Sequence, residues 1–277
     1  MTGADIADGL RLCRLSQWDQ VARDWERFLS PRDAGATAAV RDERVIGTSA
    51  RIQYGDRFGW IGMVLVDPDA QGQGLGGSLL KYSLDALQHL PAIRLDATPA
   101  GYPLYLKQGF AEESRLRRME CPCASRSAIH GAGGEVERMT RGDLPDIARM
   151  DLPAFGAPRI ELLGWMLEGA PEYAWIARHK GQVAGYLFGR HGFEFAHLGP
   201  IVASESAVAV GLIAACLAQD LNRPIIVDAT CHDQRWMHFL EGTGFREQRP
   251  FIRMHRGSRL PFGEPHHQFA VLGPEFG

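Results

Sequence analysis

Between Trp60 and Ser78 the chain runs from an apolar stretch, WIGMVLV, through Asp67-Pro68 into a segment with glycine at 72, 74, 76 and 77. Leucines then follow at 75, 79, 80, 84 and 87. An apolar run bounded by turn residues reads as a buried strand, and leucines three and four apart read as one face of a helix, here from about Leu75 to Leu90 and ended by Pro91. Without Cβ atoms, the loop between them can turn its backbone N–H groups toward one point at the helix N-terminus, where the macrodipole favours an anion. Each N–H to phosphate bond is charge-assisted and worth about 1.5–3 kcal/mol, so a few of them can hold a diphosphate without a lysine. The segment calls for an α/β fold and offers a phosphate cradle.

Two ligand classes use such a cradle. Gly72-x-Gly74-x-x-Gly77 also satisfies the dinucleotide pattern, with Asp96 lying 24 positions after Gly72. That fold, however, sets its first glycine directly at the strand end within a βαβ unit, whereas Asp67 to Gln71 intervene here. Hairpin-like strands, near 36–40 and 45–53, also precede the strand at 60–66, after a helical pattern over Trp18 to Leu29.

With 277 residues the length favours two domains. A formal charge of -3, 45% hydrophobic and 23% charged residues exclude a disordered or polybasic nucleic-acid-binding chain. The longest apolar run, Ala207 to Ala218, is shorter than the roughly 18–20 residues a bilayer-spanning helix requires, and the acidic N-terminus shows no secretory signal, so cytoplasm is the expected compartment. Five scattered cysteines without a Cys-x-x-Cys pair point to neither a disulfide framework nor a metal site.

The two halves repeat one another. Asp42-Glu-Arg-Val-Ile-Gly47 corresponds to Lys180-Gly-Gln-Val-Ala-Gly185, Gly62-Met-Val-Leu to Gly199-Pro-Ile-Val, Asp96-Ala-Thr98 to Asp228-Ala-Thr230, and Gly109-Phe110 to Gly244-Phe245. A Pro-, Ser- and Gly-rich stretch joins them, giving domains over 1–122 and 136–277 with a linker over 123–135. Over the glycine loop, Gln71 to Gly77, the second half reads Val208-Ala-Val-Gly-Leu-Ile-Ala214, whose single glycine cannot supply the same set of N–H groups. Only the first half is expected to hold the phosphate ligand.

At these residues the chain resembles the GNAT acetyltransferase superfamily. Val66-Asp-Pro68 followed by Gln71-Gly-Gln-Gly74-Leu-Gly76 matches the superfamily's pyrophosphate motif, and Tyr105 in the block closing at Gly109-Phe110 matches its second motif. The whole chain resembles the bacterial members with two tandem GNAT units, the second degenerate. The resemblance implies a mixed α/β (α+β) fold, each unit a mostly antiparallel twisted sheet flanked by helices. It also implies acetyl-CoA as co-substrate, no metal, and transfer to a primary amine of a small molecule by direct attack in a ternary complex. A non-catalytic acyl-CoA-binding sensor is the alternative reading. Neither nucleic acid nor membrane is an expected partner, and monomer or dimer stays open.

The resemblance places the cofactor on Leu65, Val66, Gln71, Gly72, Gln73, Gly74, Leu75, Gly76, Gly77 and Tyr105, with the pantetheine arm pairing to the backbone of Leu65 and Val66 like an added strand. Tyr105 corresponds to Leu240 in the half without the loop, so packing there does not need a hydroxyl; it is the candidate acid, against a core tyrosine bonded to backbone. Asp96 is the candidate base, but Asp228 repeats it, so a structural role in both halves stands beside the catalytic one. No carboxylate or histidine occurs from Trp60 to Val66, a common location for the base in the superfamily. Arg115, Arg117 and Arg118 read either as ligands of the CoA 3′-phosphate or as a solvated face, and the tail from Pro261 either packs back or frays.

Overall fold

The computed structural model describes residues 1–122, 135–219, 222–258 and 262–277; residues 123–134 of the expected linker lie outside the described residues. The chain forms two compact units: unit 1 is Met1–Ser114, Ile252–Arg259 and Pro274–Gly277, and unit 2 is Arg115–Phe251 and Leu260–Gly273. Both are mixed, mostly antiparallel sheets flanked by helices.

Unit 1 begins with α1 (Ile6–Leu15) and α2 (Ala22–Phe28). The helical spacing read over Trp18 to Leu29 is realised only from Ala22, because Val21 is extended and Gln17 sits at φ 56°. Next comes the hairpin of β1 (Ala34–Arg41) and β2 (Arg44–Tyr54). Its two turn residues, Asp42 and Glu43, both take positive φ, the geometry that matches strand twist in a two-residue hairpin. Lys180 and Gly181 do the same in unit 2 between β7 (Trp175–His179) and β8 (Gln182–His191), so the sequence repeat is a structural one.

β3 (Phe58–Val66), α3 (Leu75–Leu87), β4 (Ala92–Ala97) and α4 (Tyr102–Lys107) complete this half, and the sheet order is β1-β2-β3-β4-β11, with β11 spanning Arg246–Gly257. Leu80, Leu84 and Leu87 of α3 bury against Ile61, Ile93, Leu95 and Met254 on one face. At about 25 cal/mol per Å² of apolar surface removed from water, each such side chain contributes roughly 1.5–3 kcal/mol. On the opposite face the tail packs back: Trp60 Nε1 donates to Pro274 O at 2.9 Å, the Tyr54 hydroxyl donates to Phe276 O at 2.5 Å, and Phe276 stacks on Phe28 with centroids 4.8 Å apart.

β3 and β4 are parallel neighbours, yet they pair only at Gly59↔Ile93 and Trp60↔Arg94. Beyond Trp60 they part, and among the described residues no strand pairs with the β4-facing edge of residues 61–66. β4 keeps its other neighbour for its whole length, from Ile252↔Ala97 to Gly257↔Ala92.

Unit 2 has β5 (Ala111–Cys121) from Arg115 onward, then β10 (Ile225–Thr230), β12 (Gln268–Val271), β9 (Ala196–Ala203), β8, β7 and β6 (Glu135–Arg138), in that order. Here too the parallel pair is brief, Ile225↔Ala196 and Ile226↔His197, and the strands part afterwards. The gap is occupied by β12, antiparallel to β10 at Asp228↔Val271 and to β9 at Gln268↔Val202 and Ala270↔Ile201. Gly199 makes room for it, since a Cβ there would stand 2.0 Å from Val271 O. The segment expected to align with the glycine loop, Val208 to Ala214, lies inside α7 (Ser206–Leu217), a helix buried nearly all round and preceded by Glu205.

A polar network closes the core of unit 2. Arg118 binds Asp228 through two bonds of 2.8 Å, His197 Nε2 lies 2.9 Å from Asp228 Oδ2, and Arg190 Nη2 lies 3.0 Å from His197 Nδ1. A guanidinium only donates, so Nδ1 accepts and carries no proton: the histidine is neutral, its remaining N–H on the Nε2 side near Asp228. Burial lowers the His197 pKa below 6.5. Burial alone would raise Asp228, but Arg118 and His197 outweigh it and hold the carboxyl below its usual range. A buried neutral histidine contributes stability above its unfolded pKa and loses it as the pH falls toward the folded one. Thermal melts should therefore show the midpoint dropping between pH 7 and pH 5, with a flatter pH dependence in His197→Gln; parallel curves for both proteins would contradict this.

Candidate active site

At the end of β3 the backbone is tied down before the loop begins. Asp67 N donates to Ile46 O at 2.8 Å, Asp67 Oδ1 accepts from Asp69 N at 3.2 Å, and Arg11 Nη1 reaches Asp67 Oδ2 at 2.6 Å. Arg11 lowers the Asp67 pKa, so this anchor stays charged at neutral pH. The Gln71 side chain donates to Val66 O at 3.2 Å, folding the loop back onto the strand.

Gly72 and Gly74 take φ of 76° and 80°, where an L side chain is strained. Gly74 is the N-cap of α3. Among the described residues, the amides from Gly72 to Gly77 donate to no protein acceptor, and the segment from Gln71 to Gly74 is exposed. Gly76 and Gly77 differ: a Cβ at Gly76 would meet only Val66 Cγ2 at 3.6 Å and Leu104 at 3.9 Å, and one at Gly77 only Leu104 at 3.8 Å. The fold has room for a side chain at both. These distances also show that the loop, the end of β3 and α4 converge.

Leu65 is buried and Val66 half-buried, both on the stretch of β3 past the divergence from β4. Within that stretch the β2–β3 register shifts between Thr48↔Leu65 and Ala50↔Gly62, and Met63 takes φ 53°. This is a β-bulge, which re-aims backbone groups and twists the strand. Thr48 Oγ1 donates to Met63 O at 2.9 Å, so the displaced carbonyl is satisfied. No sequence signal announced the bulge, whose positive-φ residue is a methionine.

Tyr105 projects from α4, which ends as Gly109 and Phe110 imply: Gly109 has φ 81°, and Phe110 N donates to Tyr105 O at 3.1 Å. Its ring lies edge-on to Phe110 at 5.9 Å and packs against the core that Val64 also joins. Among the described residues its hydroxyl bonds to no protein group. Burial pushes it up to about 12, so it stays protonated through neutral pH.

Asp96 is placed otherwise. Both carboxylate oxygens are 2.8 Å from Arg253, which also lies over the Trp60 ring at 4.8 Å. Asp228 and Arg118 repeat the arrangement, in each case an aspartate on a central strand and an arginine directly across from it, at Arg253↔Asp96 and Asp228↔Arg118. This is the structural role that the repeat had kept open. Arg118, read from sequence as one candidate for the CoA 3′-phosphate, is buried in that pair, and Arg117 lies 3.5 Å from Glu247. Arg41, not singled out in sequence, is the cation at the loop: its Nη2 lies 3.0 Å from Gln73 Oε1.

The Acetyltransferase (GNAT) family model matches residues 7–110, and an Acetyltransferase (GNAT) domain model matches residues 147–270. The chain is 31% identical over 219 residues to an uncharacterized N-acetyltransferase, YitH, of Bacillus subtilis, covering 79% of this chain and 77% of that one. It is 27% identical over 268 residues to the holothin acyltransferase of a Pseudoalteromonas species, covering 94% and 87%. In fold it is similar to a putative acetyltransferase from Pyrococcus horikoshii, with a TM-score of 0.80 at 21% identity over 100% of this chain and 94% of that one. It is also similar to a tandem GNAT protein of the clavulanic acid pathway, with a TM-score of 0.65 at 12% identity, covering 92% and 95%.

Removing one partner of a buried pair leaves the other charge uncompensated, which costs about 3–5 kcal/mol. Asp96→Asn should destabilise the protein by that order in denaturant melts while leaving the shape of the pH–rate profile intact. A stable variant with a displaced acidic limb would instead make Asp96 the base.

Proposed function

Because the chain belongs to the GNAT acetyltransferase family, we propose that unit 1 binds acetyl-CoA and transfers its acetyl group to the primary amine of a small molecule, by direct attack in a ternary complex. The observation that carries this reading is internal to the chain. Both units part a parallel strand pair after two residue pairs; in unit 2 a peptide strand fills the gap, whereas among the described residues unit 1 has none there. A strand seated in this gap in one copy supports a strand-like amide chain as the occupant of the corresponding gap in the other. Pantetheine, with two amides along an extended arm, is such a chain.

The backbone of Leu65 and Val66 pairs with the arm, and the amides from Gly72 to Gly77 take the diphosphate at the N-terminus of α3. Arg41 stands beside Gln73 to add a positive charge. The bulge around Met63 turns an amide of β3 toward the thioester carbonyl, where the oxyanion develops. Tyr105, protonated and without a competing bond, donates to the departing thiolate. That unengaged hydroxyl favours an enzyme over a non-catalytic acyl-CoA sensor. Unit 2 keeps the fold but presents Glu205 and a filled gap where the cofactor would sit.

Free CoA should appear when the protein is mixed with acetyl-CoA and an amine panel: spermidine, lysine, glucosamine, kanamycin and, because one relative is a holothin acyltransferase, holothin. No release with any acceptor, despite tight CoA binding, would favour the sensor. Tyr105→Phe should lose about 10²–10⁴-fold in kcat with little change in CoA affinity, and equal turnover would remove Tyr105 from the mechanism. Gly76→Ala separates fold from ligand. It should hold or raise stability, since alanine is better than glycine in a helix by about 1 kcal/mol, yet weaken CoA binding at least tenfold in calorimetry; unchanged affinity would place the diphosphate elsewhere.

A further inference from the structure

An acceptor amine that arrives as an ammonium must lose a proton before it attacks, and β3 supplies no group to take it: Trp60 to Val66 reads WIGMVLV. The structure brings an acidic residue, Glu275, against that strand from the far end of the sequence. Gly62 lies two residues past the last β3–β4 pair and one before the bulge residue Met63. A Cβ on Gly62 would stand 2.7 Å from Glu275 Cα, 2.9 Å from Glu275 O and 3.0 Å from Glu275 Cβ. Glu275 thus occupies the space that a side chain at position 62 would take.

The placement is built. Trp60 fixes Pro274, Tyr54 fixes Phe276, Phe28 stacks on Phe276, and a Cβ on Gly277 would meet the Trp60 ring at 3.0 Å. Four consecutive residues, Pro274 to Gly277, are therefore seated by aromatic side chains on both sides of Glu275, which is only 2% exposed. Glutamate is seldom so buried, because enclosing a carboxylate is costly.

We propose that Glu275 is the general base of unit 1, replacing the carboxylate that its thioester-bearing strand lacks. The assignment rests on the acetyltransferase reading above. Glu275 takes one proton from the acceptor ammonium. The freed amine lone pair forms the C–N bond at the thioester carbon, and the carbonyl electrons move to oxygen. Collapse of that adduct breaks the C–S bond, the thiolate takes the Tyr105 proton, and the second proton lost from nitrogen returns Tyr105 to its phenol form. The products are amide, CoA thiol and one proton released to solvent from Glu275. Among the described residues, the titratable and charged groups around this corner are Cys13 and Arg14 on α1 and Asp24 on α2, with Arg94 and Arg253 over the Trp60 ring on the strand side and Asp96 paired to Arg253.

The test is Glu275→Gln, assayed with the alkylamine of the panel that wild type turns over fastest. At pH 7 its kcat/KM should fall by about 10²–10⁴-fold, with the CoA dissociation constant within twofold of wild type. The deficit should shrink as the pH rises and solvent deprotonates the amine. Equal activity, or a loss constant across pH, would overturn the assignment, the latter meaning that Glu275 only seats the tail. Should the glutamine variant not fold, Glu275→Asp carries the test: it should keep the acidic limb of the pH profile at lower rate, and a profile without that limb would overturn the proposal. If wild type binds no CoA or acetylates no amine, it is the acetyltransferase reading that has failed, not this one.

Discussion

Two parallel strands that pair for two residues and then part are the constraint on which the rest of unit 1 depends. The divergence of β3 from β4 after Trp60 and Arg94 leaves a row of β3 backbone groups without a strand partner among the described residues, inside a sheet where unpaired groups are costly unless a ligand or water satisfies them. β4 does not drift because β11 holds it along its full length, reinforced by the Arg253–Asp96 pair. β3 does not drift because β2 holds it from the other side, through the bulge and the Thr48 bond to Met63. Both sides of the opening are thus held by a neighbouring strand, and the glycine loop, α4 and the tail are arranged around it.

Unit 2 supplies an internal control. It shows the same brief pairing and the same aspartate–arginine lock, but β12 runs through the opening. Two glycines at corresponding positions, Gly62 and Gly199, each admit a stretch of the C-terminal segment: Gly199 the backbone of Val271, Gly62 that of Glu275. In unit 2 the admitted segment completes the sheet. In unit 1 it leaves the strand edge open and delivers a carboxylate instead. One duplicated fold has in this way been specialised into a scaffold that is filled and a site that is not.

The sequence made much of this legible where local chemistry decides. The leucine period of α3, the loop glycines and the two charged hairpin turns all appear where their patterns place them, because each is governed by residues within a few positions. Helix α1 was not legible: its buried stripe, Gly9, Leu12 and Cys13, is short and set among charges. Nor was the bulge, since a methionine at positive φ has no signature. The role of Asp96 needed the register that sets Arg253 across from it, 157 residues away in sequence. The same holds for Glu275, which a reader of the sequence meets in a Gly- and Pro-rich tail and has no reason to join to Gly62.

The most direct measurement is the stoichiometry of CoA binding by calorimetry on the intact chain. An open gap in unit 1 and a filled one in unit 2 predict a single site per chain. Two sites of similar affinity would mean that β12 yields its place and that the gaps are equivalent, and the absence of any binding heat would remove the cofactor from the account.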